Sequence, residues 1–106
     1  MKKAIAALLF IPAMAQAEFF TGNQLLSRLN GDSLDRVQAI GYIQGVSDAY
    51  VRIVFCPPDN VTAGQLSDMI RNYLTNSPAS RHRTADALIA EAFAQVWPCA
   101  KRGNNL

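Results

Sequence analysis

Gly41-Tyr42-Ile43-Gln44-Gly45-Val46-Ser47-Asp48-Ala49-Tyr50 reads as the middle of a long helix with a small residue at every fourth position. Gly41, Gly45 and Ala49 fall on one stripe of that helix. An interior glycine costs a helix about 1 kcal/mol relative to alanine, so two of them four residues apart ask for a compensating close approach by another backbone. Two surfaces meet that demand: a packed crossing with a helix of the same domain, or a contact with a second chain. The packed crossing is the first expectation, with Tyr42 and Asp48 at its edges.

Outward from this stretch the pattern stays helical. Ser33 is a good N-cap and Asp35 puts negative charge in the first turn, which predicts a helix from about Leu34 to Phe55. Ala39, Ile40, Ile43, Val46, Tyr50, Ile53 and Val54 gather on one broad face. Asp48 and Arg52, four apart with the acid first, suit a surface pair worth a few tenths of a kcal/mol, roughly. The run Cys56-Pro57-Pro58-Asp59-Asn60 cannot continue a helix, because two successive prolines remove donors and extend the residues before them.

Thr62 and Gln65 then form a T-x-x-Q capping box, and Leu66, Met69, Ile70, Tyr73 and Leu74 repeat at helical spacing, predicting a helix over Ala63 to Thr75. Ser77 and Pro78 suit a cap and a first helical position. Residues 79–83 are either a separate turn or the start of a helix whose core face is Ala85, Leu88, Ile89, Ala92, Phe93 and Val96. Pro98 ends that helix. Upstream, Thr21 caps a short helix from Asn23 to Leu29 that buries Leu25, Leu26 and Leu29, and Asn30-Gly31-Asp32 breaks it. No strand pattern occurs. The expected architecture is all-α, a small single-domain helical bundle of about four helices with one disulfide.

The start of the 106-residue chain has its own logic. Lys2 and Lys3 precede an apolar run from Ala4 to Met14, and Ala15-Gln16-Ala17 is a small-x-small cleavage site, so residues 1–17 read as a secretory signal peptide and 18–106 as the mature domain. No second run is long enough to hold the mature chain in a membrane. The formal charge of +2 from 10 basic and 8 acidic side chains becomes neutral once Lys2 and Lys3 leave, which removes the electrostatic footprint that nucleic acid requires. Export to an oxidising compartment favours a disulfide, and Cys56 and Cys99 have only each other. Closing that loop would stabilise the fold by about 4 kcal/mol on the chain-entropy estimate. The residues from Lys101 to Leu106 read as a polar, frayed tail.

Catalytic chemistry finds little here. His82 is the only histidine, it stands between Arg81 and Arg83, and both thiols are expected to be oxidised, so no nucleophile and base come as a pair. One histidine and two distant cysteines make no metal set of known spacing, and no cofactor motif occurs. Arg81-His82-Arg83 is either a solvated start to a helix or a recognition surface, since arginine is enriched in interfaces. Trp97 reads as packing beside the disulfide, or else as a partner anchor.

Taken in order, the signal peptide, the G-Y-I-x-G-V-x-D stretch at Gly41 to Asp48, the Cys56-x-Pro58 turn, Val61-Thr62 with Gln65-Leu66, Tyr73-Leu74, Pro78 with Arg81-His82, and the closing Trp97-Pro98-Cys99 resemble the Rap/Tai family of immunity proteins. That family neutralises peptidoglycan amidase effectors delivered by bacterial type VI secretion. The resemblance implies a small helical periplasmic protein, a homodimer in many members, that binds a cognate amidase and occludes its active site with a loop. It implies Gly41, Tyr42, Gly45 and Asp48 as framework and Cys56 with Cys99 as the disulfide. For the inserted loop, exposure and a stiffening proline point to Asn76, Ser77, Pro78, Ala79, Ser80, Arg81 and His82, with Pro57, Pro58, Asp59 and Asn60 as second choice.

The sequence departs from the family in one respect. A further cysteine pair of the relatives would fall near Leu29 and Ala39, and both cysteines are absent here. The first helix is therefore expected to rely on leucine burial alone and to detach most easily. A different class of function, a small periplasmic chaperone of the acid-stress type, shares the helical, exported, single-disulfide character. It would expose apolar surface and suppress aggregation in acid, where carboxylates protonate.

Overall fold

Four helices follow one another in a computed structural model that describes residues 19–100. They are α1 (Gly22–Leu29), α2 (Ser33–Tyr50), α3 (Ala63–Thr75) and α4 (Ala85–Val96). The signal-peptide reading of residues 1–17 and the tail from Lys101 to Leu106 lie outside the described residues. The all-α expectation holds, and every pair of helices touches. One core joins them: Leu25 and Leu29 of α1, Ala39 and Ile43 of α2, Ile70 and Leu74 of α3, and Ala85, Leu88, Ile89, Ala92 and Phe93 of α4. Leu29 and Ala39, the positions of the relatives' extra cysteines, are both fully buried in it.

The caps explain where the helices begin. Thr21 and Gln24 close a capping box on α1, and Thr62 and Gln65 close the same box on α3. Each satisfies two backbone donors that a helix start leaves open. On α2 the cap is Asp32, whose carboxylate accepts from the Asp35 amide at 2.9 Å. Ser33, expected as the cap, is instead the first helical residue.

The end of α2 departs further from expectation. The helix stops at Tyr50, five residues before Phe55. Val51 takes an extended conformation, Arg52 a left-handed one at φ 68°, and the Arg52 amide donates to the Phe55 carbonyl at 2.7 Å to close a tight turn. Val51, Ile53 and Val54 are β-branched and lose rotamer freedom in a helix, and the pair of prolines just beyond forbids continuation. Ile53 and Val54 consequently leave the packed face for solvent, where Ile53 is 76% exposed. Arg52 also loses its helical register with Asp48, and no ion pair forms between them among the described residues.

The expected packing of the glycine stripe is also corrected. A methyl group added at Gly41 or Gly45 would meet nothing within 4 Å, and Ala49 is exposed. α2 buries the neighbouring row, Ala39, Ile43 and Ser47, and Ser47 returns its hydroxyl to the Ile43 carbonyl at 2.7 Å. The glycine where a backbone does come close is Gly22. A Cβ there would lie 2.5 Å from Leu88 Cδ1 and 3.0 Å from the Arg81 carbonyl oxygen.

That contact also revises the expectation for α1. Its first amides, Gly22 and Asn23, donate to the Arg83 and Arg81 carbonyls at 2.9 and 2.8 Å, and the Ala85 amide donates back to Phe20 at 2.7 Å. At the other end, Arg71 Nη2 donates to the Leu29 carbonyl at 3.1 Å. Backbone bonds sew the start of α1 to the segment before α4, and the Arg71 side chain holds its end, so both supplement leucine burial.

The remaining alternatives resolve simply. Residues 77–83 form turns, with Ser80 donating to Ser77 and Arg83 to Ser80, and α4 starts only at Ala85. Pro78 therefore sits in a turn. Val96, expected on the α4 core face, is 55% exposed. Cys56 and Cys99 form the disulfide, with Cα atoms 4.9 Å apart. Beside it Phe93 bridges Phe55 and Trp97, with ring centroids 5.1 and 5.5 Å apart, and the Cys56 amide donates to the Trp97 carbonyl at 2.8 Å. Trp97 is thus half-buried packing at the cross-link.

Candidate partner-binding surfaces

The two loops named as inserted elements leave opposite ends of α3. A helix of 13 residues spans about 20 Å at 1.5 Å per residue, so they form two separate surfaces.

The α3–α4 connection carries Asn76, Ser77, Pro78, Ala79, Ser80, Arg81 and His82. Asn76, Pro78, Ala79 and His82 are exposed, whereas Ser77, Ser80 and Arg81 are half-buried. Arg81 turns inward: Nη1 donates to the Leu74 carbonyl at 3.3 Å, and Nε is buried without a partner. A cation over the last carbonyls of α3 suits the negative end of that helix. Arg83 instead forks onto Glu91. The hydrogen bond from Arg83 holds the Glu91 carboxyl below its ordinary 4.5, with a smaller contribution from Tyr73, and Glu91 in turn raises Arg83. Of the three basic residues in this run, only His82 presents its side chain to solvent without a protein partner.

The α2–α3 connection carries Pro57, Pro58, Asp59 and Asn60. Pro57 is half-buried and the other three are exposed. With Ser47, Asp48, Val51, Arg52, Phe55, Val61 and Leu66 they line a crevice of about 250 Å³. Asn60 has φ 71° and Arg52 φ 68°, the two positive values among non-glycine residues described here. Such conformations cost about 1–3 kcal/mol each and persist where the surroundings impose them. Both stand at this one crevice.

The turn Arg52-Ile53-Val54 lies where the helical pattern predicts a continuous helix to Phe55. Three β-branched residues within Val51 to Val54, directly before Phe55-Cys56-Pro57-Pro58, are the signal that the helix ends early.

Along α2, Tyr42, Gly45, Val46, Ala49 and Tyr50 line a shallow groove of about 360 Å³ with Asp86 of α4. Tyr50 donates its hydroxyl to Asp86 Oδ2 at 3.2 Å, and that bond to the carboxylate raises the Tyr50 phenol. Burial raises the Tyr42 phenol, and the charge of Asp86 adds to the effect. Tyr42 also packs edge-on against Phe20, centroids 4.9 Å apart. Of the four framework residues, Tyr42 ties α2 to its neighbours. Gly41, Gly45 and Asp48 are exposed.

Among the described residues no three His, Cys, Asp or Glu side chains converge as a metal site, and no helix is long and apolar enough to cross a membrane. Fold and surfaces together define a small cross-linked helical domain whose exposed features suit contact with another protein. The match to the family of Rap1a immunity proteins spans residues 21–99, from the α1 cap to the second cysteine of the disulfide, and the chain belongs to that family. No curated protein matches the chain.

Proposed function

We propose that this protein acts in the periplasm, where it binds a peptidoglycan amidase effector of type VI secretion and protects the producing cell by covering the enzyme's active site. The membership over residues 21–99 carries the reading, and the resemblance to the Rap/Tai family supplies the amidase as its target. The signal-like start and the Cys56–Cys99 bond suit an oxidising compartment outside the cytoplasm. The mode is steric and non-catalytic. It needs no cofactor, and the prepaid rigidity of a cross-linked domain favours tight binding, since little order is lost on association.

The resemblance also implies a second copy. We assign it to the open stripe of Gly41, Gly45 and Ala49, which with exposed Leu34 and Val37 forms a helix face that nothing packs against among the described residues. Gly45→Leu should then give a folded monomer by sedimentation, and an unchanged dimer would remove the stripe from the interface.

The functional test is protection. Periplasmic production of a type VI peptidoglycan amidase from the same genome should lyse cells, and co-production of this protein should restore growth. Lysis that persists with abundant, folded protein and no complex on gel filtration would sink the amidase assignment.

A further inference from the structure

The turn that interrupts the end of α2 has the build of an insertion element. Ile53 is 76% exposed and Val54 37% exposed, side by side at the apex, although burying either would stabilise the fold. Arg52, beside them, has no hydrogen-bond or ion-pair partner for its guanidinium among the described residues. Its backbone is left-handed at φ 68°, where glycine would fit without strain and asparagine with less. The base of the turn is fixed from every side. The Arg52 amide bonds the Phe55 carbonyl, the Ile53 and Val54 amides bond the Tyr50 carbonyl at 3.0 and 2.9 Å, Phe55 is fully buried, and Cys56 is held by both the disulfide and the Trp97 carbonyl.

We infer that Arg52, Ile53 and Val54 form the tip that enters the partner's cleft, an assignment that rests on the amidase-binding reading above. The shape selects the occupant. A convex apex of two aliphatic side chains cannot cover a flat surface, and two such tips facing each other across a dimer axis would bury far less than the roughly 800 Å² per partner of a stable interface. It fits a concave partner: a protein groove with an apolar floor for Ile53 and Val54 and a carboxylate at its lip for Arg52. Arginine is enriched in interface hot spots, an aliphatic side chain filling a pocket can serve as the anchor beside it, and a tip fixed before binding loses little entropy there. The α3–α4 connection offers less, since Arg81 and Arg83 are already engaged within the chain.

The test measures the affinity of the full mature, disulfide-intact protein for the type VI amidase by calorimetry, for the native chain, Ile53→Asp, Arg52→Gly and His82→Asp. The tip predicts at least a 100-fold loss for Ile53→Asp and roughly a tenfold loss for Arg52→Gly, with His82→Asp within threefold of native. Arg52→Gly also separates binding from folding, because removing the left-handed strain should leave the Tm equal or higher while affinity falls. Native-like binding by Ile53→Asp with a native Tm overturns the tip and leaves the amidase reading standing. Absence of binding by the native chain overturns both.

Discussion

The two long connections of this domain use comparable lengths of chain in opposite ways. Residues 76–84 are woven into the fold: α1 hangs its first two amides on the Arg81 and Arg83 carbonyls, Arg81 covers the end of α3, and Arg83 grips Glu91. Residues 51–61 are fixed at their base, by Phe55, the disulfide and the Trp97 carbonyl, while the apex points an isoleucine and an arginine without a partner among the described residues at solvent. The connection with the denser run of basic residues is thus mostly scaffold, and the one that begins as an apolar run leaves its tip open to solvent.

Breaking the base of the second connection should have the largest effect. Replacing Cys56 and Cys99 by serine removes the constraint on the loop they close and should cost about 4 kcal/mol by chemical denaturation. The exchange of amides in 51–61 should accelerate more than that of amides in 76–84. Equal acceleration would mean that the cross-link stabilises the two connections alike.

A smaller effect tests the weave of the first connection. At Gly22 a side chain meets the Arg81 carbonyl oxygen at 3.0 Å as well as Leu88 Cδ1, and the carbonyl cannot step aside without losing the Asn23 bond. Gly22→Ala should therefore destabilise by about 1–3 kcal/mol, whereas Gly45→Ala, in open space, should not. Urea unfolding of both variants decides it: an equal response would deny that α1 and residues 81–83 are closely packed.

The smallest effect belongs to the ion pair at the edge of that weave. The Glu91 carboxyl is held below its ordinary 4.5 by Arg83, so its contribution is present above the unfolded-state value and is lost as pH falls through the folded one. Both side chains are about two-fifths exposed, 41% and 42%, and such pairs are screened. Glu91→Gln should lower the Tm slightly at pH 7 and not at all near pH 3. A deficit that persisted at pH 3 would place the role of Glu91 in packing.

Much of this was legible in the residues. The T-x-x-Q box and the spacing from Leu66 to Leu74 marked the observed bounds of α3, and the two cysteines, with only each other to pair with, marked the cross-link. Local signals with a single physical meaning survive the step to three dimensions. The end of α2 was harder to read, because Ile53 and Val54 continue the helical period and only their β-branching argues against it. The glycine stripe misled for a related reason. A sequence shows that a helix face is smooth but not whether anything lies against it, and Gly22, where a backbone does press close, sits at a helix start with no pattern to mark it. The roles of Arg81 and Arg83 were hidden too, since both depend on where α1 docks.

The contrast between the connections is tested most directly by photo-crosslinking from single positions. With a benzophenone side chain at position 53 or at position 82, the mature protein is mixed with the type VI amidase and irradiated. Position 53 should give an adduct that maps to the rim of the enzyme's active-site cleft, and position 82 little or none. An adduct from position 82 alone would contradict this, returning the contact to the α3–α4 connection.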